Sequence, residues 1–307
     1  MTKIDQFESV FRSADKPLFR YDPFVVNSVL VMTDLEGETA ESFSALAGKY
    51  LGVSGEVPEE PYTVPTGKAE GWRPGGQEGA PSIQLVSAGD FSSIEQCLGL
   101  IEEAKPDLVC TYRGLHSDCW RWGHSLGSYV EVLTQGIITP VLVFPHPGSR
   151  EALSAASGEC TRVMAMTDHL AGDSRLVNAA LFFTPAGGVL HLANFEDRQV
   201  FDRYIDAIGK IPSIDSEQAQ VDLLARLLGE ARDYIKSCRA AVEARGEEVE
   251  ITETVDLGTH VEAYRQLVRS NGIELLVMNT KEEGQLAMHG LAYALAVELN
   301  EIPLLLL

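Results

Sequence analysis

Short, continuous apolar runs alternate with longer stretches of helical periodicity along this chain. Such runs are typical of strands buried on both faces of a parallel sheet. The clearest are SVLVMTD (28–34), DLVCTY (107–112), TPVLVF (139–144), VLHLAN (189–194) and IPLLLL (302–307). Apolar residues recur every third or fourth position over 91–104, 217–245 and 258–271. This pattern predicts amphipathic helices between the strands, and therefore an α/β doubly wound fold.

Local signals predict where two of these helices begin and end. Ser92 is followed three residues later by Glu95, and Ser93 by Gln96, so either pair offers a capping box at the start of the helix over 91–104. Gly272 follows the helix over 258–271, where a glycine favours a C-cap.

The apolar runs recur in the same order in both halves of the chain. The matching pairs are SVLVMTD (28–34) with RVMAMTD (162–168), DLVCTY (107–112) with ELLVMNT (274–280), and TPVLVF (139–144) with IPLLLL (302–307). A repeated order of this kind indicates a duplicated unit. We therefore predict two Rossmann-like, parallel-sheet domains related by pseudo-twofold symmetry, over 25–147 and 161–307. An N-terminal extension (1–24) and a linker (148–160) complete the organisation.

The first domain is abbreviated. Its interval from the first repeated run to the second is shorter than the matching interval of the second domain. In the second domain the extra residues form the predicted strand over 189–194 and the long predicted helix over 217–245. The first has only the Pro/Gly/Glu-rich stretch 51–82 there, which predicts a loop with one short strand at 62–64.

Composition and charge exclude several classes of protein. The net charge of the 307 residues is −21, and no basic stripe is present, which argues against a nucleic-acid partner. No apolar run approaches the roughly 20 residues that a membrane helix needs, and the N-terminus has no apolar signal region. We therefore expect a cytoplasmic protein with no membrane partner. Five scattered cysteines without a CxxC pair argue against a disulfide framework and a zinc site.

The stretch TYRGLHSDCWRWGHSLGSYVEV (111–132) carries the candidate chemistry. It joins an apolar run to a helical pattern, and a glycine-containing loop before a helix N-terminus favours anion binding. Gly114 follows the strand, and Gly127-Ser128 would start the helix. The same glycines also fit an ordinary turn and cap, and the tryptophans fit either packing or stacking on a base. His116, Asp118, Cys119 and His124 lack a matching pair of zinc ligands elsewhere, so we predict no metal site.

These residues resemble the universal stress protein family. Nucleotide-binding members of that family carry G-x2-G-x9-G-[ST] between the fourth strand and the fourth helix. This chain has Gly114, then Ser117 in place of the second glycine, then Gly127-Ser128. Further resemblances are Asp34 and Asp168 after the first strand of each half, Gly89-Asp90 before a helix, and the closing run Pro140–Val143.

The resemblance implies a stress-response regulator with ATP or AMP in the first domain. Adenine would lie near Asp34, and the phosphates on Gly114, Ser117, Gly127 and Ser128, with Arg113 beside them. Magnesium would enter only with a nucleotide. We expect no catalytic residues and at most weak ATP hydrolysis, because neither a Walker-type lysine nor a general base accompanies the loop. The second domain would be degenerate, since it offers a shorter loop and Gly290-Leu291 without a hydroxyl.

The alternative is a scaffold or interaction protein that binds no nucleotide. It would use loop 51–82 and the Trp-containing loop 114–127 to recognise a partner. In either case the resemblance implies an internal pseudo-dimer, in which 140–144 pairs with 303–307, because family members pair these strands across a dimer. A further homodimer through other surfaces is compatible with this arrangement.

Overall fold

The computed structural model of the chain describes residues 18–52, 80–148, 160–166, 172–280, 288 and 290–307. The strands are β1 (Ser28–Met32), β2 (Ser82–Val86), β3 (Leu108–Tyr112), β4 (Val141–Phe144), β5 (Arg162–Met166), β6 (Val189–Asp197), β7 (Glu250–Gly258), β8 (Leu275–Met278) and β9 (Leu304–Leu306). The α-helices are α1 (Gly37–Tyr50), α2 (Ile94–Ala104), α3 (Ser128–Gly136), α4 (Ser174–Phe183), α5 (Arg198–Ile208), α6 (Ser216–Ala244), α7 (His260–Asn271) and α8 (Gly290–Glu298). A 3₁₀ turn covers Asp118–Arg121.

The described strands form one sheet in the order β2-β1-β3-β4-β9-β8-β5-β6-β7. Neighbouring strands are parallel everywhere except between β4 and β9. Helices connect the parallel strands, as such crossovers require. The predicted α/β class with parallel sheets in both halves is confirmed.

The antiparallel pair β4–β9 is the seam between the two halves. Val141 lies opposite Leu306, and Val143 opposite Leu304. All residues of both strands are buried. These are the closing strands whose pairing the sequence predicts, and each covers an edge that the other half would otherwise expose.

The two halves differ beside their first strands. In the second half, β6 lies next to β5, and β7 lies outside β6. In the first half, β2 pairs directly with β1, with Ser28 opposite Ser82. The strand that precedes α2 thus occupies the position next to the first strand. Loop residues 53–79, with the predicted strand at 62–64, and linker residues 149–159 lie outside the described residues.

The local helix signals are confirmed. The hydroxyl of Ser93 accepts a hydrogen bond from the Gln96 amide at the start of α2, and the Ser92 amide donates to Gln96 Oε1 at 2.8 Å. α6 covers nearly the whole predicted stretch, and Gly272 ends α7 with a φ of +59°. The sequence did not predict β2, β7 or α5.

Residues 18–24, which precede β1, pack on the second half. The Phe19 amide donates to Ser237 Oγ of α6 at 2.9 Å, and the Phe19 ring contacts the Tyr234 ring edge-on. The guanidinium of Arg245 lies 3.9 Å from the centre of the Tyr21 ring. These contacts therefore hold the segment just before β1 against the other half of the molecule. Among the described residues, no helix combines the length and the apolar character needed to cross a bilayer.

Candidate functional site

The loop between β3 and α3 is shaped by two glycines that meet backbone to backbone. Gly114 has a φ of +74° and Gly127 a φ of +94°, a region that residues with a Cβ rarely adopt. A Cβ on Gly127 would lie 3.0 Å from the Gly114 Cα and 3.2 Å from its nitrogen. The two ends of the loop can therefore approach this closely only because Gly127 has no side chain.

The amides of the loop are used within the loop. The Gly114 N–H donates to the Leu126 carbonyl at 2.8 Å, and the Ser117 N–H to the Gly114 carbonyl at 2.8 Å. The Gly127 N–H donates to Ser125 Oγ at 2.9 Å. Ser128 is the first residue of α3 and is exposed. The first-turn amides of a helix have no partner within the helix, so a ligand at this edge would meet those of α3 first.

Asp34 is joined to this loop through its carboxylate. It accepts a hydrogen bond from the Tyr112 hydroxyl and one from the His116 amide, the latter at 2.8 Å. The Tyr112 oxygen also accepts from the Asp34 amide and lies 2.9 Å from Thr33 Oγ1. Burial, and then the hydrogen bond to Asp34, raise the pKa of Tyr112, so the phenol keeps its proton. The carboxyl ends of β1 and β3 are thus held together by charge-assisted hydrogen bonds.

An aromatic cluster forms the wall beside Asp34. The His116 ring lies 4.9 Å from Phe91 and 4.8 Å from Tyr129, measured between centres. His116 adopts a φ of +53°, which a non-glycine residue rarely takes. Neither Phe91 nor Tyr129 was singled out from the sequence, because each looks like an ordinary apolar residue before or within a helix.

The Arg113 side chain points away from the other predicted site residues and towards the second half. Its side chain is 3% exposed, and its guanidinium donates to the carbonyls of Ala296 and Leu299, the latter at 2.6 Å. These carbonyls lie at the C-terminal end of α8, in the second half. The structure therefore brings Asp34, Gly114, Ser117, Gly127 and Ser128 to one edge of the sheet, while the Arg113 guanidinium lies at the seam.

The outer part of the loop forms a cavity with the second half. The Trp120 and His146 rings stack at 4.2 Å with an angle of 6° between their planes. The guanidinium of Arg121 lies 5.4 Å from the Trp120 ring centre. Burial lowers the pKa of His146 to about 4. A cavity of about 210 Å³ lies here, with walls from this loop and from residues 297, 300 and 301.

Asp168 lies outside the described residues, and so does the loop over 281–287 in the second half. Gly290-Leu291, which follow that loop, are described and start α8. Within the described ranges, no group of three or more His, Cys, Asp or Glu side chains is arranged to hold a metal ion.

Comparison with known proteins identifies the fold. No protein-family model matches the chain, and no curated protein matches it. Among solved structures, it is similar to a universal stress protein from Archaeoglobus fulgidus DSM 4304, with a TM-score of 0.50 and 15% identity over 92% of this chain and 97% of that one. The chain has the fold of the universal stress proteins.

Other solved structures with the universal stress fold align less closely. One from Pseudomonas aeruginosa UCBPP-PA14 gives a TM-score of 0.49 at 12% identity, over 92% of this chain and 94% of that one. A universal stress family protein from Burkholderia pseudomallei gives 0.30 at 19% identity, over 49% of this chain and 98% of that one. A fold shared at such identities says nothing about what the site binds, so function must be argued from the residues.

Proposed function

We propose that the protein is a regulator of the universal stress type whose first half binds an adenine nucleotide, ATP or AMP, without rapid hydrolysis. The observation that carries the proposal is the close approach of Gly114 and Gly127 beside the exposed Ser128. A backbone without side chains lets a phosphate approach, and the helix N-terminus of α3 supplies amides and a favourable dipole. Asp34 lies at the same edge, linked to the loop through His116.

The geometry also sets a condition on binding. Because the Gly114, Ser117 and Gly127 amides are hydrogen-bonded within the loop, a phosphate must rely on the first turn of α3 or displace one of these bonds. The net charge of −21 adds an unfavourable long-range field for an anion. We therefore expect modest affinity that strengthens as ionic strength rises, because salt screens the repulsion.

Isothermal titration calorimetry with ATP, AMP and adenosine tests the proposal, alongside analysis of the purified protein for bound adenine by mass spectrometry. We expect heat from ATP and AMP, and a weaker signal from adenosine. Ser128→Ala should weaken ATP binding about tenfold if its hydroxyl hydrogen-bonds a charged phosphate. Ser42→Ala, on the exposed face of α1, is the matched control. The absence of heat and of any thermal shift at millimolar nucleotide would refute nucleotide binding.

One observation favours a second function, a scaffold that binds a protein partner. The loop amides are already satisfied, and Trp122 in the same loop is 71% exposed. Exposed tryptophans are enriched among the residues that dominate protein interfaces. A pull-down with the wild-type chain as bait should recover a partner that Trp122→Ala loses. Ile138→Ala, at an apolar residue outside the loop that is 96% exposed, should retain it. Equal recovery by both variants would exclude the loop as the interface.

A further inference from the structure

The Arg113 guanidinium is a buried cation that is held by backbone carbonyls. It is 3% exposed and forms no ion pair with a carboxylate of the described residues. Two of its N–H groups are satisfied by the α8 carbonyls, whose helix dipole favours a cation. Its Nε has no hydrogen-bond partner in the described part of the chain. Burying a charged group with an unsatisfied hydrogen-bond donor is unfavourable unless a counter-ion or another acceptor pairs with it.

Arg113 lines the cavity at the seam, together with further groups that can face an anion. Arg121 supplies a second guanidinium from the same loop; its Nε pairs with the exposed Asp118 at 3.2 Å, which leaves its terminal nitrogens for an anion. His146 accepts the Gly148 amide on Nδ1 at 2.9 Å, so its neutral ring carries the proton on Nε2 and keeps a donor. Asn300 adds a side-chain amide from the second half, and Glu301 a single carboxylate.

The size of the cavity limits the ligand. At about 210 Å³ it is smaller than the roughly 300–1,000 Å³ typical of pockets for drug-sized molecules. None of Asp34, Gly114, Ser117, Gly127 or Ser128 lines it. The cavity is therefore separate from the proposed nucleotide edge and suits a small ion.

We propose that the cavity between the β3–α3 loop and the end of α8 binds a small oxyanion, either phosphate or a short carboxylate, through Arg113 and Arg121. Because its walls come from both halves, a bound anion bridges them at the seam. The proposal does not depend on nucleotide binding, since the two sites share no residue apart from the backbone that connects Arg113 to Gly114.

Thermal unfolding of the full chain in inorganic phosphate, sulfate or acetate, against chloride at matched ionic strength, tests the proposal. A ligand that binds only the folded state raises the unfolding temperature with its concentration. We expect phosphate or acetate to raise it more in the wild type than in the cavity-filling variant Val297→Phe, because phosphate and sulfate also stabilise folded proteins by exclusion from their surface. The anion with the larger difference between wild type and variant identifies the class of oxyanion. No difference between the oxyanions and chloride would overturn the proposal.

Variants locate the site. Arg113→Met should weaken binding by at least about tenfold, because a hydrogen-bonded charge is lost. Val297→Phe fills the cavity while leaving both arginines, and should abolish binding. Glu301→Gln removes the one carboxylate in the wall and should strengthen binding severalfold. The control is Arg226→Met, which removes an arginine on the exposed face of α6.

Because Arg113 also holds α8, Arg113→Met could fail to fold, and far-UV circular dichroism checks this. In that case Val297→Phe and Glu301→Gln test whether the oxyanion binds in this cavity. Unchanged oxyanion affinity in both folded variants would overturn the assignment to this cavity.

Discussion

Replacing Gly127 by alanine tests the packing on which the candidate site depends. The new Cβ would lie 3.0 Å from the Gly114 Cα and 3.3 Å from Cys119 Sγ, where ordinary contacts are 3.4–4 Å. The close contact is with backbone, so it cannot be relieved by rotating a side chain. The φ of +94° and ψ of 144° also belong to a region used almost only by glycine.

The magnitude follows from these two terms. A residue held in such a backbone region costs about 1–3 kcal/mol, and overpacking a close contact costs about 1–3 kcal/mol. We expect Gly127→Ala to lower the free energy of unfolding by about 2–6 kcal/mol, a large part of the roughly 5–15 kcal/mol of a typical domain.

Urea denaturation followed by tryptophan fluorescence measures this loss, and Trp120 reports from the loop itself. The matched control is Gly229→Ala in the middle of α6, where an added Cβ meets nothing within 4 Å. That variant should be more stable than wild type by about 0.5–1 kcal/mol, because alanine is the better helix former. If Gly127→Ala unfolds within about 0.5 kcal/mol of wild type while the control behaves as expected, the close approach of the two glycines is wrong.

Three further predictions concern the residues around the loop and the core. Tyr112→Phe should lower the free energy of unfolding by about 1–3 kcal/mol, because Thr33 Oγ1, the Asp34 amide and the Asp34 carboxylate each lose a hydrogen bond to the phenol. Tyr204→Phe at an exposed position should change it by less than about 0.5 kcal/mol in the same urea assay. Wild-type stability should fall as the pH drops from 6.5 towards 4, because the pKa of His146 is about 4 in the folded state and about 6.5 in the unfolded state, so protons bind the unfolded state preferentially. Urea unfolding at pH 7 and at pH 5 should show a smaller loss of stability in His146→Phe than in the wild type. Burial raises the pKa of three core thiols, so a thiol reagent at pH 8 should modify them only in urea, as counted by mass spectrometry; they are Cys97, Cys110 and Cys238.

The sequence predicted the features that local signals determine. The capping pair at the start of α2, the length of α6 and the glycine after α7 each follow from residues within a few positions of the feature. The repeated order of apolar runs was enough to predict the fold class. The five residues that converge at the carboxyl edge of β1 and β3 were identified through the resemblance to the universal stress protein family, and parallel strands that end at the same edge of a sheet bring them together.

Features that depend on distant parts of the chain were not predictable in the same way. Arg113 precedes Gly114, so its position in the sequence favoured a role beside the phosphates. Its actual partners are the carbonyls of Ala296 and Leu299, which no sequence pattern near Arg113 predicts. The pairing of β2 with β1 could not be predicted from local signals either, because the strand that lies next to β1 is determined by the packing of the whole first half.

The loop and the second half are connected by a continuous chain of hydrogen bonds. The Gly127 amide donates to Ser125 Oγ, which donates to Glu131 Oε1 at 2.7 Å, and the same oxygen accepts from the Tyr293 hydroxyl of α8 at 3.0 Å. A phosphate that takes the Gly127 amide must therefore break the first of these bonds and free Ser125. The conformation of the loop is thus coupled to α8 through Glu131, and to the seam cavity, which Ser125 also lines. This coupling gives the second half a structural role in the first, because α8 holds the first half's loop in place.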